Sequence, residues 1–290
     1  MLMIVAAGAV WGIIGLFVRR LSAAGLQSME ITTIRCTVTC VVMFALLAIM
    51  DRKLLKVRLR DLWCFFGTGI CSIVFFTWCY FTCMTQSSLS VAAVLLYTSP
   101  IFVTLMSAVL FRERITRVKV IALVCAFAGC VLVSGVGGQV SFTAVLTGLG
   151  AGFGYALYPI FSSFALRRYQ TLTVIAYTFL FASVGCLLLS DPNSIGAYIQ
   201  TDPLPNGAFL VLFGVVSCVI PYLLYTAGLQ KVEAGKASIV ASVEPVVATL
   251  VGVFVYHEAL TVPIVCGILL VLAAIVLLNL RFGTVKSAKK

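Results

Sequence analysis

Long apolar stretches dominate this sequence and leave few ways for it to fold. Ten stretches, each of roughly 20 mostly apolar residues, are separated by short polar segments. They cover approximately residues 1–18, 29–50, 62–84, 90–111, 117–136, 144–166, 171–190, 208–229, 236–256 and 262–282. A stretch of this length is what a helix needs to cross the hydrocarbon core while bonding its own backbone. We therefore predict an all-α integral membrane protein with ten transmembrane helices.

The composition supports lipid as the solvent of most of the chain. Hydrophobic residues make up 62% of the sequence and charged residues only 10%, and the mean hydropathy is +1.16. A soluble domain carries about 25% charged residues. The chain is too poor in charge to cover a water-exposed surface, so we predict the lipid bilayer as its surroundings.

The same sequence skeleton occurs twice. Pro100 and Pro245 are separated by 145 residues, as are Glu113 and Glu258, and 145 is half of the 290 residues. The register also holds upstream, where Tyr80 is matched by a second tyrosine 145 residues later. A repeat on this scale indicates a duplicated structural unit. We predict two five-helix repeats, residues 1–140 and 141–290.

The distribution of basic residues predicts the orientation of the chain. With the N-terminus in the cytoplasm, 17 of the 20 Lys and Arg residues fall in cytoplasmic loops or in the C-terminal tail. Arg19 and Arg20 fall outside, and Arg35 lies within the second stretch. Because cytoplasmic loops are enriched in Lys and Arg, both termini are predicted to be cytoplasmic. The net charge of +11 thus reflects topology, and no nucleic-acid partner is predicted.

Five crossings per repeat place the two halves in the membrane with opposite orientations. The turn around Glu113 is flanked by Arg112 and Arg114, whereas the equivalent turn around Glu258 has no Lys or Arg beside it. Opposite charge on two copies of one turn is typical of an inverted-topology repeat. Such repeats occur in secondary transporters, whose substrate site lies near the midplane between the halves.

Large aromatic residues at deep positions are the first candidates for a binding site. Trp11 lies in the first stretch, Tyr155 in its counterpart, and Tyr80 and Tyr225 occupy equivalent places in the two halves. Ligand cavities are mainly apolar and aromatic, with a few polar groups, so these four are predicted to line a cavity. Packing of the helix core is the alternative for Trp11, and coincidence is the alternative for the tyrosine pair.

One acidic residue is predicted near the midplane. Glu244 lies about eight residues inside the ninth stretch, next to Pro245, and its counterpart in the first half is Ser99. We predict that Glu244 and Ser99 contact the substrate, and that Glu244 binds a cationic group or carries a coupling proton, because intramembrane acids are functional by default. A protonated glutamate bonded to a freed backbone carbonyl is the structural alternative. Arg35 is interpreted as a structural tie to carbonyls of neighbouring helices.

The residues needed for enzyme chemistry are not arranged for it. The 11 cysteines include no Cys-x-x-Cys pair, and His257 is the only histidine, so no metal site is predicted. All four aspartates fall in loops or at stretch ends, and no phosphate-binding loop occurs. We predict neither a catalytic site nor a cofactor, and no nucleotide hydrolysis.

Several short motifs in order resemble the EamA-type transporters of the drug/metabolite transporter superfamily. They are Trp11-Gly12, Arg35, Ser99-Pro100 with Arg112-Glu113-Arg114, and Glu244-Pro245 with His257-Glu258. His257 departs from the small or apolar residue usual in that family. The resemblance implies a multi-pass carrier of small organic solutes in the bacterial plasma (inner) membrane, with a cavity between its halves.

The function predicted from these features is alternating-access transport of a small metabolite, amino-acid-like or similar. Export is favoured over uptake as the direction of transport. Uptake of an organic cation such as a quaternary amine is the second hypothesis, since aromatic faces around a carboxylate bind such cations. A membrane enzyme or a scaffold is the alternative of a different class. The predicted partners are the small-molecule substrate and the lipid bilayer, with the protein a monomer or a weak homodimer.

Overall fold

The computed structural model describes residues 1–135, 141–257 and 259–280, and helices are the only regular elements in these ranges. The α-helices are α1 Leu2–Gly12, α2 Ile14–Ala23, α3 Ser28–Met50, α4 Leu62–Phe66, α5 Phe75–Gln86, α6 Leu89–Leu96, α7 Ser99–Leu110, α8 Arg117–Ser134, α9 Phe142–Ala165, α10 Thr171–Leu187, α11 Pro192–Thr201, α12 Pro203–Gly214, α13 Ile220–Leu229, α14 Ala234–Ala241, α15 Glu244–Tyr256 and α16 Val262–Leu280. Two 3₁₀ turns, Arg52–Leu55 and Leu59–Asp61, lie in the loop after α3.

Eight helical segments of the described chain are long and apolar enough to cross a membrane. Some of them contain two to four consecutive elements; the eight are Leu2–Ala23, Ser28–Met50, Leu59–Gln86, Leu89–Leu110, Arg117–Ser134, Phe142–Ala165, Pro203–Leu229 and Ala234–Tyr256. Helices α10 and α11 qualify as a ninth only when taken together, and the Val262–Leu278 part of α16 is an apolar but shorter helix. The predicted all-α membrane protein is confirmed, whereas the count of ten crossings stays a prediction.

One helix was not expected from the hydropathy. After α10 the chain bends by 98° into α11, where only a polar break was predicted. The side chain of Asp191 accepts a hydrogen bond from the Asn193 backbone N–H at 3.0 Å, and Pro192 occupies the first helical position. An aspartate cap followed by proline starts a new helix well. The following segment then begins at Pro203, earlier than the predicted residue 208.

Helix breaks recur at the same spacing as the sequence repeat. Helix α6 ends at Leu96 and α7 begins at Ser99; 145 residues later α14 ends at Ala241 and α15 begins at Glu244. Each proline after the break lacks an N–H and clashes with the carbonyl four residues earlier, so the helix restarts just before it. The π-helical segments Gly67–Val74 and Val215–Val219 overlap at this spacing as well.

The two repeated turns also share an unusual backbone conformation. Arg112 has a φ of 55° and His257 a φ of 56°, and these are the positive-φ residues other than glycine within the described ranges. A left-handed residue directly after a helix ends it and redirects the chain. Glu258, the acidic residue of the second turn, lies outside the described residues, as do the predicted boundary at residue 140 and the C-terminal tail from residue 281.

Helix packing relates the two halves to each other. Helix α1 packs against α13 and α15, and α9 packs against α5 and α7. Helices α3 and α10 pack together, and so do α8 and α16. A shift of 145 residues converts the α1–α13 contact into the α9–α5 contact. The first helix of each half therefore packs against helices of the opposite half.

Gly12 marks the closest approach of α1 to α15. A Cβ atom at Gly12 would lie 2.6 Å from the Val247 Cβ and 2.8 Å from the Glu244 carbonyl oxygen, whereas at Gly15 it would meet nothing within 4 Å. We expect Gly12→Ala to lower the free energy of unfolding by about 1–3 kcal/mol, the usual effect of overpacking. Thermal unfolding in detergent measures the change, with Gly15→Ala as the control. Equal midpoints for both variants would contradict this contact.

Candidate functional site

A large cavity of about 630 Å³ lies among α1, α2, α3, α5, α6 and α15. This volume is in the range of small-molecule sites, which is about 300–1,000 Å³. Its lining is mainly apolar and aromatic. The aromatic members are Trp11, Phe76, Tyr80, Phe81, Tyr97, Phe213 and Tyr256, and the charged members are Arg19, Arg35 and Glu244.

The large cavity reaches the helix ends on one side of the bundle. Its lining includes Ser22 near the end of α2, Ser28 at the start of α3, Ser134 at the end of α8 and Tyr256 at the end of α15. The Arg19 guanidinium stacks over the Tyr256 ring at 3.8 Å from its centroid. The cavity therefore opens at this end, which is the outer end in the orientation predicted from the basic residues.

A small cavity of about 20 Å³ lies beyond Trp11 and Phe76, which line both spaces. It is lined by Ser72, Ile73, Tyr155, Tyr158, Pro159, Tyr222 and Tyr225 in addition. A void of this size holds about one water molecule. The large cavity is therefore the candidate substrate site, and the small one is a gap in the packing beneath it.

The aromatic layer between the two cavities is tightly packed. The Trp11 ring lies 5.3 Å from Tyr222 and 5.4 Å from Tyr225, centroid to centroid. The Tyr158 hydroxyl and the Thr226 hydroxyl are 2.7 Å apart, within hydrogen-bonding distance. Contacts of this kind hold aromatic rings in place. This packed aromatic layer separates the large cavity from the small one.

The residues predicted from the sequence divide into three groups. Trp11, Tyr80 and Glu244 all line the large cavity. Tyr155 and Tyr225 line the small cavity below it. Ser99 is only 4% exposed and lines neither of the two cavities. The structure brings the first five into one region of the bundle, and it does not bring Ser99 into contact with the cavity.

Glu244 is the acid of the large cavity. It is the first residue of α15, directly after the helix break, and its side chain is partly buried. The start of a helix carries partial positive charge, which favours a carboxylate. Tyr155 and Arg35 are within electrostatic range of the carboxylate. Tyr80 and Tyr97 are also within its electrostatic range.

Arg35 is the functional candidate that the sequence analysis assigned to a structural role. It lines the same cavity as Glu244, and its Nε atom is buried without a hydrogen-bond partner among the described residues. The expected tie to carbonyls of neighbouring helices is therefore not made through this atom. A buried N–H without a partner is costly. Its place within an apolar stretch was the signal for a functional role, since charges inside membrane spans are functional by default.

Metal-binding groups are not assembled in the part of the chain that the structure describes. No cluster of three or more His, Cys, Asp or Glu side chains there could hold a metal ion. Its cysteines are free thiols, and most are buried between helices. The polar groups that line the large cavity include Arg19, Arg35, Glu244 and several hydroxyl groups, beside aromatic faces.

Comparisons with known proteins agree on the kind of protein. The EamA-like transporter family model matches residues 1–135 and 142–280. A transporter of Archaeoglobus fulgidus is 28% identical over 235 residues, which are 80% of this chain and 82% of the relative. The transporter YxxF of Bacillus subtilis is 26% identical over 245 residues, covering 82% of this chain and 76% of the relative. Both relatives are named as uncharacterized transporters.

A solved crystal structure has the same fold. It superimposes with a TM-score of 0.79 at 18% sequence identity and covers 99% of this chain and 98% of its own. The likeness concerns the fold alone. The family model, in contrast, matches both halves of the sequence and confirms the resemblance found in the short motifs. This chain belongs to the EamA-like transporter family, within the drug/metabolite transporter superfamily.

Proposed function

We propose that this protein is a secondary transporter that exports a small, amino-acid-like solute across the bacterial plasma membrane by alternating access. The observation that carries the proposal is that Arg35 and Glu244, a cation and an anion, line a single large cavity, with a second cation, Arg19, over the Tyr256 ring at its mouth. Arg35 suits a carboxylate and Glu244 suits an ammonium group, so the pair matches a zwitterion. The transporter names of the relatives support the general class.

The proposal includes ten crossings arranged as two inverted repeats, residues 1–140 and 141–290. The helix breaks before Ser99 and Glu244, and the left-handed residues Arg112 and His257, support it because they recur at the repeat spacing. Inverted repeats supply two related conformations, open to opposite sides. Both termini are then cytoplasmic, and the protein works as a monomer or a weak homodimer.

Orientation is tested with two single cysteines in a Cys-less background. Arg114→Cys and Ala259→Cys follow the two repeated turns at equivalent positions. We expect an impermeant thiol reagent to label residue 114 only from the cytoplasmic side and residue 259 only from the outside. Labelling of both from the same side would contradict the inverted arrangement, whatever the transport activity.

Solute flux through the purified protein tests the function itself. Proteoliposomes preloaded with an unlabelled amino acid are expected to accumulate the same labelled amino acid by counterflow without any nucleotide. Empty liposomes are the control. A membrane enzyme or a scaffold moves no solute, so absence of flux across a panel of the 20 amino acids and choline would overturn the proposal.

Uptake of an organic cation remains the second candidate, because Trp11 and Tyr80 line the same cavity as Glu244. Aromatic faces attract quaternary ammonium groups. Arg35 in that cavity opposes this candidate, since it repels a ligand that carries only positive charge. Flux of choline without flux of amino acids would favour it.

The direction of transport is tested in cells. Lower retention of a transported amino acid in cells that express the protein would support export.

A further inference from the structure

An ionic cluster with a buried lysine lies at the end of the bundle away from the large cavity. We call Glu113, Lys119 and Glu233 the lock cluster. The Lys119 Nζ donates to the Glu113 Oε2 at 2.7 Å and lies 3.6 Å from the Glu233 Oε2. Lys119 is only 1% exposed and Glu113 only 9%. An ammonium group this enclosed is held by its two carboxylates.

Further bonds make the lock cluster a junction between the two halves of the chain. The Ser107 hydroxyl donates to the Glu113 Oε2 at 2.9 Å. The backbone N–H of Ala234 donates to the other carboxylate oxygen of Glu113 at 3.1 Å. Ser107, Glu113 and Lys119 belong to the first half of the sequence, whereas Glu233 and Ala234 belong to the second. Closing this end therefore depends on charged bonds that cross the boundary between the halves.

The lock cluster and the mouth of the large cavity lie at opposite ends of the same helices. Lys119 is in the first turn of α8, and Ser134, which lines the cavity, is the last residue of that helix. Fifteen residues of helix separate them by roughly 22 Å. Likewise Ala234 begins α14, while Tyr256 at the end of α15 lines the cavity. The large cavity thus opens at one end of the bundle, and the lock cluster lies at the other end.

The sequence repeat does not carry the Lys119–Glu233 pair over to the other end. The positions equivalent to Lys119 and Glu233 are occupied by Ile264 and Ser88, so a lysine–glutamate pair cannot form between these two positions.

We propose that the lock cluster sets which side of the transporter is open, with Lys119 as the positioning residue that joins the halves. Opening the closed end requires the Lys119 ammonium to separate from Glu233 and the Glu113 carboxylate to separate from the Ala234 N–H. Substrate transport then includes breaking and remaking this lock, and its strength sets the population of the state described above. The proposal rests on the alternating-access function, to which it adds a named gate.

Thiol accessibility in the purified, substrate-free protein tests this gate. In a Cys-less background, Ala93→Cys reports on the large cavity, and Ser238→Cys reports on the closed end, where Ser238 is buried one turn beyond Ala234. We expect Lys119→Gln to increase the reaction rate of residue 238 with a charged thiol reagent by about tenfold, a common size of coupling between conformational states. The rate at residue 93 is expected to fall or stay constant.

A second variant disturbs the lock without removing a charge. A Cβ atom at Gly235 would lie 2.6 Å from the Lys119 Nζ and 3.2 Å from the Glu113 Oε2. Gly235→Ala should displace the ammonium and change the two rates in the same directions, by less than Lys119→Gln. Lys236→Gln is the control. Lys236 also pairs with Glu233, at 3.1 Å, and this pair lies within one segment, three residues apart.

The outcomes separate a gate from a purely structural contact. A rise at residue 238 without a rise at residue 93 supports the gate. A rise at both positions means that the variant loosens the whole bundle, and no rise at residue 238 means that the cluster does not hold the closed end; either result overturns the proposal. Because labelling needs no substrate, its outcome is independent of the flux experiment, which alone decides the transport function.

Discussion

Replacing Glu244 with glutamine is expected to abolish concentrative transport while leaving the fold intact. The carboxylate lines the large cavity and takes part in none of the ion pairs found among the described residues. Glutamine has nearly the same shape but cannot carry the charge that attracts an ammonium group or the proton that drives accumulation. Loss of a hydrogen bond to a charged group costs about 1.5–3 kcal/mol, or roughly 10–150-fold in affinity.

Two vesicle assays distinguish the roles that Glu244 could have. If the carboxylate binds the substrate amine, Glu244→Gln should lose both accumulation and counterflow. If it carries the coupling proton, accumulation should vanish and counterflow should persist, because exchange needs no net proton movement. Thermal unfolding in detergent checks the fold. Unchanged accumulation by a normally folded variant would leave only the structural account of a protonated glutamate.

Asp191→Asn is the matched control for Glu244→Gln. It makes the same acid-to-amide change in the loop before α11, outside both cavities. There the side chain accepts hydrogen bonds from the Asn193 backbone N–H at Oδ1 and from the Ser194 hydroxyl at Oδ2, and the asparagine oxygen can still accept the first of them. Transport by this variant is expected to equal that of the original protein.

Replacing Arg35 with glutamine is expected to remove the preference for a zwitterion over the corresponding amine. A guanidinium binds a carboxylate through two parallel hydrogen bonds, and Arg35 lines the cavity with its Nε unbonded to the described residues. Leucine and 3-methylbutylamine differ only in the carboxylate. We expect Arg35→Gln to weaken leucine binding by roughly 10–150-fold, the value of a charged hydrogen bond, and to leave or improve amine binding.

Calorimetric titration of the purified protein with both compounds measures this preference. Arg35→Lys is the matched control, since lysine keeps the charge but lacks the planar fork of arginine. Its leucine affinity should fall between those of the original protein and Arg35→Gln. Equal losses of affinity for leucine and for 3-methylbutylamine in Arg35→Gln would show that Arg35 supports the bundle rather than the substrate carboxylate.

The breaks in the helices could be predicted because their causes are local. Pro100 and Pro245 interrupt the backbone hydrogen bonds of their own helices wherever those helices lie. The bend into α11 was missed because the start of α11 depends on the cap of Asp191 and on Pro192. A hydropathy pattern responds only to apolar content and does not detect a helix cap.

The candidate site was predicted only in part, because residues at equivalent positions of the sequence repeat do not both line the cavity. Ser99 and Glu244 are equivalent in the sequence repeat, and each begins a helix after a break. Only Glu244 lines the cavity, since the cavity opens at one end and the two copies stand in different surroundings there. Trp11 and Tyr80 were predicted by depth, which the hydropathy pattern provides. The place of Arg35 in the cavity could not be predicted, because it depends on the rotation of α3 against its neighbouring helices.

By itself the sequence determined the class of the protein and its helical content, and it predicted a repeat and a membrane depth for each candidate residue. These properties depend on composition, on chain length between polar breaks and on prolines, all of which act locally. Only the tertiary structure decided that Arg35 and Glu244 share a cavity and that Lys119 pairs with Glu113 and Glu233 at the opposite end. Helix rotation and the choice of the open side arise from packing between segments more than 100 residues apart, as in the contact of Glu113 with Ala234.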